Sequence, residues 1–247
     1  MHIDPAVFGE FFGTMVLMLL GDGVVAAVLL AKSKAQGAGW VAITAGWAFA
    51  VFAGVVAALA LGDRDAHLNP AFTVAAVITS GHAERLWTYI PAQILGALAG
   101  SILMWAFYYH HFKATEDKNS KLLCFCTQPA IRAYGNNLLC EIIGTFVLIV
   151  VVAGVASKEL ARGGTAPPPG FTPYLIGMIV WSIGLSLGAT TGYAVNPARD
   201  LGPRIAHALL PIAGKGSSDW SYAWIPIAGP IIGAILAALF IKATGIG

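Results

Sequence analysis

The chain has 247 residues, of which 57% are hydrophobic and only 11% are charged. Soluble domains commonly carry about 25% charged residues because their surface faces water, so much of this surface must face an apolar environment. The formal net charge of +2 comes from 14 basic and 12 acidic residues, a balance that does not indicate a nucleic-acid partner or an acidic one. The composition therefore favours a chain embedded in a lipid bilayer.

Six apolar segments are long enough to cross a bilayer. A crossing helix needs about 20 apolar residues, and backbone inside lipid must satisfy its own hydrogen bonds, which predicts helices. The strict two-residue alternation of a membrane β-barrel is absent. The predicted spans are residues 6–31, 40–62, 87–109, 135–157, 174–192 and 222–243.

Two further apolar stretches are too short to cross, and both open with the tripeptide Asn-Pro-Ala. Asn favours the position that caps a helix start, and Pro suits the first helical position, where its missing N–H is not needed. The sequence therefore predicts two half-helices, one running to about Ser80 and the other to about Leu210. The tripeptides are Asn69-Pro70-Ala71 and Asn196-Pro197-Ala198.

The chain also repeats internally. The segment Glu10-Phe11-Phe12-Gly13-Thr14 matches Glu141-Ile142-Ile143-Gly144-Thr145. Each half then holds three spans and one half-helix, and an odd number of spans places the second half upside down relative to the first. We expect one domain over 1–247, with inverted repeats at about 1–112 and 135–247 joined by a loop at 113–134, and a site at the bilayer midplane.

The inversion predicts that the two half-helices meet N-terminus to N-terminus. Each N-terminus carries roughly half a positive charge from its aligned peptide dipoles, and the amides of Asn69 and Asn196 would point into the lumen as donors. A cation that lost its water there would meet positive potential, whereas a neutral hydroxyl would not.

The segments that lead into the two tripeptides cannot be helical. Non-helical backbone at that depth is tolerated only where it lines a cavity, so these segments would present a row of carbonyl acceptors to a solute. The carbonyls are those of Ala66, His67, Leu68, Tyr193, Ala194 and Val195.

Two Asn-Pro-Ala tripeptides at matching repeat positions in a six-span chain resemble the major intrinsic protein (aquaporin) family over the whole chain. Arg199-Asp200, continuing to Arg204, is similar to the glycerol-facilitator branch. The resemblance implies an all-α membrane protein with six spans and two re-entrant half-helices. It also implies a homotetramer in the plasma or inner membrane with both termini in the cytoplasm. The basic residues of the connecting segments do not settle that orientation.

The function implied is passive diffusion of glycerol and other small uncharged solutes, with water, and exclusion of ions and protons. The alternative is a water-dominant or broader pore that passes urea, ammonia, hydrogen peroxide or lactic acid. A carrier would need ionisable residues at the midplane, and an intramembrane enzyme would need a nucleophile–base pair or metal ligands. Neither pattern is evident, so no catalytic residue, metal or cofactor is expected.

The resemblance places the narrowest point of the pore at Trp47, Gly184, Tyr193 and Arg199. Gly184 lies twelve residues before Asn196, where water-selective members usually carry a histidine, and it would leave room for a carbon backbone. Trp47 and Tyr193 would face the CH groups of a glycerol molecule, and Arg199 would donate to two of its hydroxyls. The stretch from Trp47 to Asn69 is longer than in the best-known facilitators of the family, so Phe49 is an alternative for the position of Trp47.

Carboxylates within spans are costly and so indicate a role. The resemblance implies that Glu10 and Glu141 brace the re-entrant loops and that Asp200 supports a loop through a basic residue not identified from sequence. Asp22 has no counterpart in the repeat and is either a vestibule residue or the end of a helix. Cys124 and Cys126 have neither disulfide nor metal-site spacing.

Overall fold

The computed structural model describes residues 4–157, 167–168 and 170–246. Lys158 and Arg162, two basic residues that bear on the orientation, lie outside the described residues. Within them, the chain forms ten helices: α1 Pro5–Leu29, α2 Gly39–Ala60, α3 Pro70–Ser80, α4 Arg85–Phe107, α5 Tyr109–Ala114, α6 Lys118–Leu123, α7 Tyr134–Val155, α8 Thr172–Leu187, α9 Pro197–Leu209 and α10 Ile225–Thr244.

Five of these helices, α1, α2, α4, α7 and α10, are long and apolar enough to cross a bilayer. The remaining predicted span, 174–192, is shorter in the structure, since α8 has 16 residues and ends at Leu187. The chain leaves the helix there because it must turn back towards Asn196. A Cβ atom at Gly188 would lie 2.3 Å from Cδ1 of Tyr193, so the returning loop packs directly on the end of α8.

The two half-helices form where the tripeptides predict them. Asn69 caps α3 by accepting a hydrogen bond from the amide of Ala71 at 2.8 Å. Asn196 caps α9 in the same way, accepting from Ala198 at 3.0 Å. Pro70 and Pro197 open the two helices, so the sequence signature for helix starts is confirmed at both positions.

The packing of the helices is matched between the two halves. α1 packs on α2 and α4, α7 packs on α8 and α10, and each half-helix packs against a span of the other half, α3 on α10 and α9 on α4. Small residues allow these close approaches. A Cβ atom at Gly96 of α4 would lie 2.2 Å from the carbonyl oxygen of Phe11, and one at Gly233 of α10 would lie 2.5 Å from that of Ile142.

The connecting segment 113–134 is more structured than the loop expected from sequence. It contains the end of α5 and all of α6, and it leads into a buried stretch, Cys124, Phe125 and Cys126. Thr115 accepts a hydrogen bond from the amide of Ala31 at 2.9 Å, which ties the connector to the end of α1. Helices of six residues are too short to form alone, so contacts with the rest of the chain hold them.

Candidate solute pathway

The two Asn-Pro-Ala tripeptides meet in the interior and hold each other. The amide nitrogen of Asn69 donates to the carbonyl of Val195, and that of Asn196 donates to the carbonyl of Leu68, both at 2.9 Å. One N–H of each amide is therefore used to join the half-helix ends, and that the other N–H serves a lumen stays a prediction. A buried amide needs such an acceptor, and each carboxamide has a second N–H.

The segments before the tripeptides are non-helical, as predicted, and strained in the same pattern. Ala66, Leu68, Tyr193 and Val195 have φ values of 46°, 51°, 36° and 41°. Residues with a Cβ atom adopt this left-handed region at a cost. The alternation of strained residues turns successive carbonyls to different sides, so each segment can present acceptors to a cavity while its amides face the protein.

Each of these strained segments is held by a buried carboxylate. Glu10 accepts from the amides of His67 at 2.6 Å and Leu68 at 2.8 Å. Glu141 accepts from the amides of Ala194 at 3.0 Å and Val195 at 2.9 Å. The structure thus brings both acids to the loops that the sequence assigned to them, and the contacts match residue for residue in the two halves.

Two cavities adjoin each other, because three residues line both of them. The first, which we call the tripeptide cavity, has about 180 Å³ and is lined by both Asn side chains and all six residues of the strained segments. The second, the mouth cavity, has about 430 Å³ and is lined by residues of α2, the connector and the turn after α8. Trp47, Tyr193 and Arg199 line both cavities, so the narrow point between them lies at these side chains.

Three of the four predicted ring residues therefore meet at one place. The guanidinium carbon of Arg199 lies 4.1 Å from the centroid of the Trp47 ring, within the range of a cation–π contact. Trp47 is buried, whereas Phe49 is 53% exposed and belongs to the outer face of α2. The alternative assignment of Phe49 to this position is therefore not supported.

Gly184 lies beside the constriction but does not leave an open gap. A Cβ atom there would lie 2.9 Å from the hydroxyl oxygen of Tyr193 and 3.0 Å from Cγ2 of Thr44. The space that glycine frees is filled by the Tyr193 ring, which packs against α8 while it lines both cavities. That Gly184 leaves room for a carbon backbone stays a prediction, in which glycine would act by accommodating the tyrosine.

Asp200 finds its basic partner one turn along the same half-helix. Its carboxylate accepts from Nε and Nη2 of Arg204 at 2.7 and 2.8 Å, and from the amide and hydroxyl of Thr127 at 2.8 and 2.6 Å. Arg204 also donates to the carbonyls of Ser218 and Asp219. This buried pair fastens the connector and the loop before α10 to α9.

Sequence reasoning missed two side chains that hold the site. Trp40 donates from its indole N–H to the carbonyl of Gly184 at 3.0 Å, and its ring meets Tyr193 edge to face. Gln93 donates to Glu10 at 2.8 Å and to Thr73 at 2.9 Å. A polar residue within an apolar span was the available signal for Gln93, whereas Trp40 is indistinguishable in sequence from an interfacial anchor.

The remaining candidates are also placed. His67 lines the tripeptide cavity, with Nδ1 3.2 Å from the hydroxyl of Thr73. Asp22 is buried and accepts from the hydroxyl of Ser101 at 2.5 Å, so it is neither an open vestibule residue nor a helix end. Cys126 lines the mouth cavity, and Cys124 is buried behind it. Among the described residues, no cluster of His, Cys, Asp and Glu could hold a metal.

The comparisons with known proteins agree with this architecture. The sequence model of the family described as "Major intrinsic protein" matches residues 2–241. The chain belongs to this family. It is therefore a multi-pass membrane protein whose six spans and two half-helices form an aquaporin-like fold.

Similar proteins within the family are named for glycerol. The chain is 54% identical to a probable glycerol uptake facilitator protein of Thermotoga maritima, over 93% of this chain and 94% of that protein. It is 50% identical to glycerol uptake facilitator protein 3 of Lactiplantibacillus plantarum, with 94% of each chain covered. The X-ray structure of the aquaglyceroporin from Plasmodium falciparum superposes with a TM-score of 0.82 and 27% identity, covering 96% of this chain and 95% of that one.

Proposed function

We propose that the chain is a passive channel, and not an enzyme, that lets glycerol and other small uncharged solutes diffuse across the membrane together with water. The observation that carries the proposal is the constriction shared by the two cavities, where the aromatic faces of Trp47 and Tyr193 stand beside the guanidinium of Arg199. The names of the similar family members support the same solute.

The chemistry of the constriction fits a polyol. A glycerol molecule has hydroxyl groups along one edge and CH groups along the other. The CH edge would contact Trp47 and Tyr193, while the hydroxyls accept from Arg199. Further along, the hydroxyls would donate to carbonyls of the strained segments and accept from the free N–H groups of Asn69 and Asn196.

Exclusion of ions and protons is a further part of the proposal. α3 and α9 begin at Pro70 and Pro197 and point their N-termini at the same space, joined by the reciprocal Asn hydrogen bonds. The positive ends of the two helices disfavour a cation, and Arg199 adds a full positive charge at the constriction. A narrow lumen also strips water from an ion, and the loss of hydration is costly.

The family and the matched contacts support the remaining parts of the proposal. We propose that the halves 1–112 and 135–247 are inverted repeats forming one channel domain, and that both termini face the cytoplasm of a plasma or inner membrane. We also propose that four copies assemble, each with its own pore. Measurement of the mass of the purified protein in detergent tests the tetramer, and protease access from either side of sealed vesicles tests the orientation.

The solute is tested with proteoliposomes and light scattering. The protein is purified, reconstituted and exposed to gradients of glycerol, urea, lactic acid at low pH, or sorbitol. The proposal predicts fast re-swelling in glycerol, a separate water-driven shrinkage phase, and no entry of sorbitol. It also predicts weak temperature dependence and no saturation, which separates a channel from a carrier. Water flux without glycerol flux would replace the proposal by its water-selective alternative.

A further inference from the structure

Four charged side chains are buried around the constriction. Asp22, Arg199, Asp200 and Arg204 are each at most 8% exposed. Asp200 and Arg204 are joined by two hydrogen bonds and satisfy each other. Asp22 and Arg199 form the other acid and base of the group, and no described residue pairs with either of them by a salt bridge.

Each of these two side chains has a buried polar atom without a hydrogen-bond partner among the described residues. On Asp22 it is Oδ1, since Oδ2 accepts from Ser101, and on Arg199 it is Nη1. A buried charge without a partner is strongly unfavourable. An unpaired acceptor and an unpaired donor in one region are the usual setting for a bridging buried water.

The packing places both groups near one aromatic ring, that of Trp47. A Cβ atom at Gly21 would lie 2.2 Å from Cζ3 of Trp47, so the backbone beside Asp22 touches one side of the indole. Arg199 lies against the same ring, 4.1 Å from its centroid.

A second set of packing contacts also places Asp22 near Arg199. Ser101, which donates to Asp22, lies one turn after Ala97 on α4, and its hydroxyl oxygen lies 3.0 Å from the Ala97 carbonyl oxygen. A Cβ atom at Gly202, one turn after Arg199 on α9, would lie 2.6 Å from Cβ of Ala97. The helix that presents Arg199 therefore packs on the stretch of α4 that binds Asp22.

We propose that Asp22 is the counter-ion of Arg199 and sets the charge selectivity of the constriction by acting through it. Asp22 does not touch the solute, so it is a positioning and charge-balancing residue. An uncompensated guanidinium in a low-dielectric constriction is an attractive site for a small anion. With Asp22 nearby, the constriction keeps its hydrogen-bond donors for neutral hydroxyls, and the positive potential that would draw in an anion is reduced. This inference rests on the proposed channel function.

The transport test compares anion and glycerol flux in proteoliposomes. The vesicles are placed in a gradient of potassium nitrate with valinomycin. Valinomycin carries the potassium, so nitrate entry limits the rate of swelling, and light scattering measures that rate. Asp22→Asn is expected to raise nitrate permeability at least about tenfold, as the field of one buried charge allows, and to change glycerol flux by less than about twofold. Ser101→Ala removes the hydrogen bond to Asp22 but keeps its charge, and Asp117→Asn removes a surface carboxylate. Both are expected to leave nitrate permeability at the wild-type level.

A double-mutant cycle with Arg199→Gln tests the pair itself. In the Arg199→Gln background, Asp22→Asn should not raise nitrate permeability at all. Asp22→Asn and Arg199→Gln each leave one buried charge uncompensated, so each should lower the melting temperature in detergent. The double variant should regain much of the lost melting temperature. This readout needs no transport, so it separates a failure of the pair from a failure of the channel assignment.

Two results would overturn the proposal. One is an unchanged nitrate permeability in Asp22→Asn, or an equal rise in Ser101→Ala, which would show that the charge of Asp22 is not what matters. The other is a change in melting temperature of the double variant that equals the sum of the changes in the two single variants, which would show that the two groups do not interact. The second result can be read even if Asp22→Asn reconstitutes poorly.

Discussion

At the residue scale, Tyr193 shows how one side chain shapes the constriction. Its ring fills the space left by Gly184 and Gly188, and Trp40 packs against it edge to face. Its hydroxyl is buried and has no hydrogen-bond partner among the described residues. The ring therefore stabilises the pore wall, whereas the hydroxyl, as placed, costs free energy.

This arrangement predicts the effect of Tyr193→Phe. The substitution keeps the ring and removes only the unpartnered hydroxyl, so the thermal stability in detergent should be equal or higher and glycerol flux should be retained. Tyr89→Phe is the matched control, because its hydroxyl donates to Asp65 at 3.0 Å and its loss should cost about 1 kcal/mol. Equal destabilisation by both variants would mean that the Tyr193 hydroxyl has a partner after all.

Arg199 should control proton exclusion. Arg199→Val removes the positive charge at the constriction and leaves the buried Asp22 carboxyl uncompensated, so both changes favour cations. Proton leak into vesicles loaded with a pH-sensitive dye should rise clearly above wild type. Arg132→Val, which removes a surface guanidinium paired with Asp219, should not change it. Leak at baseline in Arg199→Val would remove this residue from the filter.

At the element scale, the strained segments before α3 and α9 depend on acids from other helices. Glu141 on α7 accepts from two backbone amides and from the hydroxyl of Thr191 at 2.7 Å. The segment has no helical hydrogen bonds of its own at these residues, so the carboxylate replaces them. Glu10 on α1 does the same for the first half.

Removing this acceptor should release the loop. Glu141→Ala leaves three donors without a partner at about 1–3 kcal/mol each, so the folded yield and melting temperature should fall sharply. Glu141→Gln keeps a carbonyl acceptor, so its folded yield and melting temperature should fall less. Asn136→Ala, an exposed position on the same helix, serves as the control. Wild-type stability in Glu141→Ala would show that the carboxylate does not hold the segment.

Much at the element scale was predictable because its signals are local. Asn before Pro marked both half-helix starts, apolar length marked five spans, and an acid inside an apolar span marked each loop anchor. The helices α5 and α6 were missed because only tertiary contacts such as Thr115 to Ala31 hold them. The early end of α8 depends on Tyr193 packing against Gly188, a contact that residue periodicity does not encode.

At the scale of the whole molecule, the two halves meet through paired contacts. Asn69 with Val195 and Asn196 with Leu68 join the half-helices, and Glu10 and Glu141 repeat one function in each half. The internal match around these acids made this arrangement predictable. The contacts that the sequence did not reveal occur in one half only. The pair of Asp200 and Arg204, the ring of Trp40 and the buried Asp22 have no counterpart in the repeat, so the internal match gave no indication of their contacts.

The glycerol and water fluxes of Gly184→His, measured on the same proteoliposomes by stopped-flow light scattering, test whether the packing of Tyr193 against Gly184 keeps the constriction open to glycerol. A Cβ atom at Gly184 already lies 2.9 Å from the Tyr193 hydroxyl, so the imidazole must push that ring into the lumen. Gly154→His is the control, since a Cβ atom there meets nothing within 4 Å. Glycerol flux through Gly184→His is expected at the level of empty liposomes with water flux retained, and an unchanged glycerol flux would contradict this role of Gly184.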